Sequence, residues 1–334
     1  MTAGVYLDTY LSALAPWLTR DDVTDLLINR PGEVWVETAA GAVREAAPEL
    51  NEQALGRLAR QIAAANHQGV NREQPLLSAT LPDGARVQVV APPATRGGLV
   101  MAVRKHVISN LSVEELAERG LFSGAPAQTA HDRNTLLQAR LDAGDAAGFL
   151  KAAVAARKTM VISGGTSSGK TTLLNALLKE IGPEERLIAI EDAAEVRLDH
   201  DNSVGLIAVR GDQGESRVDA DALVAAALRL RPDRILLGEL RGAEAFAFLR
   251  AVNSGHPGSL TTVHADSCDA ALDQIALLAL TSGLDLDYAR ARAYVGSVVD
   301  VVVQLERTGG VRRVSDIRFR PRGDSIPAQT APAA

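Results

Sequence analysis

The spacing of apolar and polar residues changes character partway along the chain. Early on, TDLLINR runs into a turn at Arg30-Pro31-Gly32, and VWVE follows with the alternation of a half-buried strand. Leu55, Leu58, Ile62 and Ala65 then recur at helical spacing, which predicts a helix over about 51–66. Next, LLSATL and ARVQVV flank Pro82-Asp83-Gly84, a triplet with the backbone preferences of a tight turn, so this stretch reads as a hairpin. Strand and helix signals do not alternate here, and the expectation for residues 1–105 is an α+β domain rather than a doubly wound sheet.

Residues 106–135 read as a connector with one short helix. Ser112 and Glu115 have capping-box spacing, and Gly120 is placed to close the helix at its far end. FSGAPAQTAHD after it has the composition of a flexible link, and the domain boundary is assigned to 106–139. Beyond about 140, the apolar runs TMVIS, RLIAI and RILLG alternate with the helical patterns TTLLNALLKEI and ALVAAALRL. Buried strands separated by amphipathic helices predict an α/β domain over 140–320 with a parallel sheet covered on both faces. SVVDVVVQLERTGGVRRVSDIRFR reads as a final hairpin around Thr308-Gly309-Gly310, and the Pro/Ala-rich residues 321–334 as a disordered tail.

Length and composition narrow the function classes. The 334 residues exceed the usual size of one core, and 46% hydrophobic with 23% charged residues is globular composition. A net charge of -6 argues against a general nucleic-acid coat, and residues 1–105, with ten Lys/Arg against eleven Asp/Glu, hold no basic domain. The longest apolar run, VGSVVDVVVQL, is short and interrupted by Asp300, and MTAGVYLDTY lacks a basic leader, so a soluble cytoplasmic protein is expected. One cysteine, Cys268, excludes an intramolecular disulfide and reads as a small buried hydrophobe.

The strongest chemical signal is GGTSSGKT, comprising Gly164, Gly165, Thr166, Ser167, Ser168, Gly169, Lys170 and Thr171, with Thr172 following. It matches G-x-x-x-x-G-K-[ST] and lies between the strand TMVIS and the helix TTLLNALL. In that context glycines let backbone N–H groups wrap phosphates at a positive helix end. Lys170 then holds the β- and γ-phosphates of ATP, and Thr171 ligates Mg²⁺. ILLGE brings Glu239 to the end of a buried strand, where an acid serves Mg²⁺ through water. LIAIED places Glu191 and Asp192 at the end of another strand, with Glu195 shortly after; Glu191, nearest the strand, is preferred. SGHPGSLTTVHA carries His256 and His264, and a metal role for that pair would need further ligands.

GGTSSGKTTLLNALL, LIAIEDAAE, LRLRPDRILLGELRG and NSGHPGSLTTVHADS, in that order, resemble the Walker A, Asp box, Walker B and His box of the bacterial secretion ATPases. The wording is closest to the P-type DNA-transfer ATPases of type IV secretion and conjugation systems. INRPGEVWVE, RQIAAANHQGVNREQPLLSATLPDGARVQVVAPP and the Arg104-Lys105 pair extend the resemblance through the first domain. The resemblance implies a RecA-like P-loop ATPase domain behind a smaller N-terminal domain, a homohexameric ring, and nucleotide held between the two domains. It implies a location at the inner face of the inner membrane, beside membrane components and other ATPases of a secretion machine. It makes His264 a γ-phosphate sensor or relay, and makes Arg86 and Arg104 the best matches to arginines that complete the site; each also reads as an ordinary surface arginine.

Several alternatives stay open at this level. His256, in its Gly-His-Pro turn, also has a purely structural reading. Arg229, Arg231 and Arg241 either reach a neighbouring subunit or pair with acids, and Glu191 and Glu239 share the magnesium and water-orienting duties. A pilus or type II secretion motor is a rival, although one cysteine cannot build a four-cysteine zinc module. A RecA-like DNA motor needs a basic channel and stacking aromatics, yet aromatics are 3% of the chain, so no strong general nucleic-acid binding is expected.

Overall fold

The computed structural model describes residues 7, 9–105, 112–118, 120, 122, 130–209, 214–283 and 285–320. The strands are β1 (Val23–Ile28), β2 (Gly32–Thr38), β3 (Gly41–Ala47), β4 (Leu76–Thr80), β5 (Arg86–Val90), β6 (Val100–Arg104), β7 (Met160–Gly164), β8 (Leu187–Glu191), β9 (Ser203–Ile207), β10 (Arg234–Leu237), β11 (Leu260–Val263), β12 (Val301–Thr308) and β13 (Val311–Phe319). The chain forms two compact units, Met1–Thr129 with Ile181–Gly238, and Ala130–Glu180 with Glu239–Ala334.

In the first unit, six strands form an antiparallel sheet in the order β3-β2-β1-β6-β5-β4. The predicted hairpin is β4–β5: Gly84 takes φ +87°, and Asp83 Oδ1 accepts the Ala85 N–H at 3.0 Å. The predicted helix is Glu52–Ala65, opened by Asn51, whose side chain accepts from Ala54 N. Leu55, Leu58 and Ile62 on its inner face join Leu26, Val34, Val36, Val87, Val89 and Met101 from the sheet in one core. The same unit carries β10-β8-β9, both pairings parallel; β8 and β10 are buried at every position, as burial on both faces requires, while β9 alternates half-buried and buried residues.

In the second unit, β7 is flanked by β11 and β12 in parallel, and β13 returns antiparallel to β12. The β12–β13 turn is made by Gly309 and Gly310 at φ +60° and +85°, as the Thr-Gly-Gly signal anticipates. Phe319, at the end of β13, meets Phe149 edge to face at 5.3 Å.

The capping box of the connector is present in helix Val113–Glu118. Ser112 N donates to Glu115 Oε2 at 2.7 Å, and Glu115 N to Ser112 Oγ at 3.1 Å. Most of the link at 122–132 and the whole tail from 321 lie outside the described residues. One element departs from expectation: a helix, Ala130–Asp142, begins inside the stretch read as link. It is polar nearly all round, burying Asn134 and Leu137, so it offers no apolar stripe for periodicity to detect.

Candidate functional site

The 164–171 segment forms a tight loop between β7 and helix Lys170–Leu178. Three of its residues have positive φ: Gly164 at +154°, Ser167 at +60° and Gly169 at +100°. A Cβ on Gly164 would stand 2.5 Å from Ser168 Oγ and 2.6 Å from the Leu305 carbonyl on β12, so only glycine fits. Helices opening at Glu52, Ala146, Ala220, Cys268 and Tyr288 have side-chain caps from Asn51, Asp145, Asp219, Ser267 and Asp287. Helix Lys170–Leu178 begins at Gly169, which has no side chain to offer. Its first-turn N–H groups therefore end in a cradle suited to an anion. Ser168, only 3% exposed, keeps its hydroxyl buried against Gly164, with no hydrogen-bond partner among the described residues.

Lys170 folds over this loop, its ammonium donating to Gly164 O at 2.9 Å and Gly165 O at 3.3 Å. Burial pushes its pKa below the usual lysine range, opposed by the nearby Glu239 charge and reinforced by Arg241. His264, immediately after β11, lies with Nδ1 3.3 Å from Lys170 Nζ and Nε2 2.8 Å from Glu239 Oε1. An ammonium only donates, so Nδ1 accepts and the Nε2–H tautomer faces the carboxylate. Arg241 forks onto the other oxygen, Glu239 Oε2. Lys170, His264, Glu239 and Arg241 thus form one polar chain beside the loop. Gln304 Nε2 and Ser163 Oγ both donate to Ala265 O, at 3.1 and 3.4 Å, and steady the segment that carries His264.

The first unit holds the other strand-end acid. Glu191 closes β8 and is 5% exposed, whereas Asp192 and Glu195 face outward. Its Oε1 accepts N–H groups from Glu195 at 3.0 Å and Val196 at 2.8 Å, and its Oε2 forms an ion pair with Arg96 Nη2. Gly238 leaves room for it, since a Cβ there would lie 3.0 Å from Glu191 Cγ.

The arginines sort clearly. Arg86 and Arg104 are register partners on β5 and β6 and both exposed, so they stand side by side at one end of the six-stranded sheet. Arg231 pairs with Glu37 and, at 3.2 Å, with Asp233, and Arg241 pairs with Glu239, so these two engage acids of their own unit; Arg229 Nη1 approaches the Ala225 carbonyl at 3.4 Å. Two arginines had no signal in the sequence reading. Arg96 follows β5 in a Pro/Gly-rich loop; Arg312, on β13, donates from Nε to Ser167 O at 3.1 Å and so braces the 164–171 loop. A third, Arg186, is fully buried and donates to Leu230 O at 2.9 Å, Asn29 Oδ1 at 2.7 Å and Asn202 Oδ1. Burial pushes its pKa down to about 9, which leaves it charged at neutral pH.

His256 sits in a turn with Gly255 and Gly258 at positive φ; its Nδ1 is 2.9 Å from the Ala251 carbonyl at the end of helix Glu244–Asn253. Cys268 is buried and its thiol pushed up to about 12, by burial first and then by Asp316, so it is not a reactive thiolate.

Comparison with known proteins places these features in context. A family model described as Type II/IV secretion system protein matches residues 11–309. The type IV secretion system protein PtlH of Bordetella pertussis is 42% identical, with 96% of each chain covered. VirB11 of Bartonella quintana is 38% identical over 94% of this chain and 92% of its own. The crystal structure of the VirB11 ATPase from the Brucella suis type IV secretion system, in complex with sulphate, superposes with a TM-score of 0.88 at 36% identity, covering 95% of each chain.

Proposed function

The chain belongs to the type II/IV secretion system protein family and is a secretion ATPase, and from that premise we propose that it works as a six-membered ring within a type IV secretion or conjugation apparatus. ATP hydrolysis there powers assembly of the machine or movement of substrate through it. In this reading the 1–105 domain and the 140–320 ATPase domain are the working parts, joined by 106–139. The ring docks at the inner face of the inner membrane, on membrane components and other ATPases of the machine. Among the described residues, no helix is long and apolar enough to cross a membrane itself.

The observation that carries the ATP assignment is the loop: a helix with no side-chain cap, a glycine that tolerates no Cβ, and a buried Ser168 hydroxyl without a partner among the described residues. Such a set fits phosphate oxygens, which accept from backbone N–H, hydroxyl and ammonium alike. Gly164, Gly165, Thr166, Ser167, Ser168, Gly169, Thr171 and Thr172 line the grip, and Lys170 turns from its loop carbonyls to the β- and γ-phosphates. The Thr171 hydroxyl and the Glu239 carboxylate are hard oxygen donors suited to Mg²⁺, the latter through water. Bound there, Mg²⁺ supplies charge neutralisation on the phosphates. Glu191 orients the attacking water, His264 relays the γ-phosphate state to Glu239, and Arg86 and Arg104 supply guanidinium charge to the transferring phosphoryl group. One arginine in that role is worth about 10³- to 10⁵-fold in other NTPases.

The ring is tested by light-scattering mass with and without a non-hydrolysable ATP analogue, alongside phosphate release across protein concentration. The expected outcome is a mass near six protomers with the analogue, and specific activity that falls on dilution. A monomer whose turnover per chain is independent of concentration contradicts the ring.

A further inference from the structure

Arg96 reaches Glu191 from a segment that belongs to neither of the sheets' regular strands. Residues 94–96 lie along β9 as a short added strand: Ile207 N donates to Ala94 O at 2.9 Å, Thr95 bridges Leu206 in antiparallel sense, and Arg96 N donates to Gly205 O at 3.0 Å. Thr95, nearly buried, turns its hydroxyl onto Gly97 O and Gly98 O at 3.0 and 2.9 Å, tying off the strap. The Arg96 stem then crosses the face of Gly205 so closely that a Cβ there would stand 2.3 Å from Arg96 Cδ. Its guanidinium donates from Nη1 to Val196 O at 2.8 Å and pairs through Nη2 with Glu191 Oε2. Residue 196 is thus gripped on both sides, since its N–H binds Glu191 Oε1.

A carboxylate has about four lone-pair directions. Two on Oε1 are taken by the Glu195 and Val196 N–H groups, while the buried Oε2 faces the Arg96 guanidinium as an ion pair, so both oxygens are held and the carboxylate is kept in one orientation. We infer that Arg96 is the positioning residue of Glu191, fixing its carboxylate as an anion in one orientation; this rests on the reading of Glu191 as the water-orienting group. Arg96 touches no reacting atom in this role. The strap also makes the carboxylate answer to the backbone between β5 and β6, so displacement of residues 94–96 along β9 misaligns Glu191 without altering the acid itself.

The test uses the full chain and ATP turnover. Arg96→Gln is expected to lower kcat by roughly 10- to 100-fold, the scale of a small misplacement of a catalytic group, with KM for ATP and binding of a fluorescent ATP analogue within about threefold of the parent. Arg96→Lys, which keeps the charge, should recover part of the loss. Gly205→Ala provides the same perturbation with both charged residues intact, because the flexible Arg96 stem must move aside; it should reproduce the Arg96→Gln effect even if Arg96→Gln folds poorly. In a Glu191→Gln background, adding Arg96→Gln should cost nothing further. If Arg96→Gln and Gly205→Ala stay within threefold of the parent kcat while Glu191→Gln is at background, the positioning role is wrong and the Glu191 assignment stands. Loss of analogue binding and of melting temperature with unchanged kcat at saturating ATP would reduce Arg96 to a structural brace. Turnover retained in Glu191→Gln would remove the premise and the inference with it.

Discussion

The loop at 164–171 and the surroundings of Glu191 are assembled by opposite routes. The loop takes its shape from eight consecutive residues, with positive φ at Gly164, Ser167 and Gly169 and a lysine that folds back onto its own loop carbonyls. Glu191 is held by a local turn at Glu195 and Val196 together with Arg96, far upstream in the chain and delivered by a strap on β9. The first arrangement is a property of local backbone conformation. The second exists only once the six-stranded region and β8–β9 have come together.

Substitutions can break or sharpen that contrast. The largest effect is expected at Lys170: Lys170→Ala should bring ATP turnover to background while far-ultraviolet circular dichroism and melting temperature stay near the parent, because the surrounding glycines fix the loop. Phosphate release within threefold of the parent contradicts the assignment. Arg186→Met tests the long-range side. Losing a buried guanidinium that satisfies Leu230 O, Asn29 and Asn202 leaves buried polar groups unpaired, and about 3–5 kcal/mol of stability should go, read as a lower midpoint in urea. Gly164→Ala is expected to be intermediate. Its Cβ would press on the Leu305 carbonyl and Ser168, and a backbone cost of about 1–3 kcal/mol corresponds to roughly tenfold weaker binding of a fluorescent ATP analogue with the fold retained. Arg312→Ala should have the smallest effect, a KM for ATP raised roughly two- to fivefold with kcat nearly unchanged, since one exposed hydrogen bond to Ser167 O is lost.

What was legible in the sequence follows the same division. Features set by neighbours in the chain were readable: the glycine-bearing loop at 164–171 between strand and helix, the Pro82-Asp83-Gly84 and Gly309-Gly310 turns, the Asn51-capped helix and the Ser112–Glu115 capping box. Glu239 and His264 were readable as strand-end residues, though not that His264 would bridge Lys170 and Glu239 through its two nitrogens. Arg86 and Arg104 could be picked out singly, but that they face each other is a matter of β5–β6 register, which no local pattern states. Arg96, Arg186 and Arg312 left no trace, because an arginine's partners are decided by tertiary contact and its own codon neighbours say nothing of them. Helix Ala130–Asp142 escaped because its single buried leucine, Leu137, among the described side chains gives no periodic stripe.

The central claim is that a triphosphate is gripped by the backbone at 164–171. The most direct measurement is a crystal structure with magnesium and a non-hydrolysable ATP analogue. The account predicts phosphate oxygens within hydrogen-bond distance of the N–H groups from Gly165 to Thr171, with Lys170 Nζ moved from the Gly164 carbonyl onto the phosphates. Nucleotide density at another place, with this loop and the Lys170 to Gly164 contact unchanged, would contradict it.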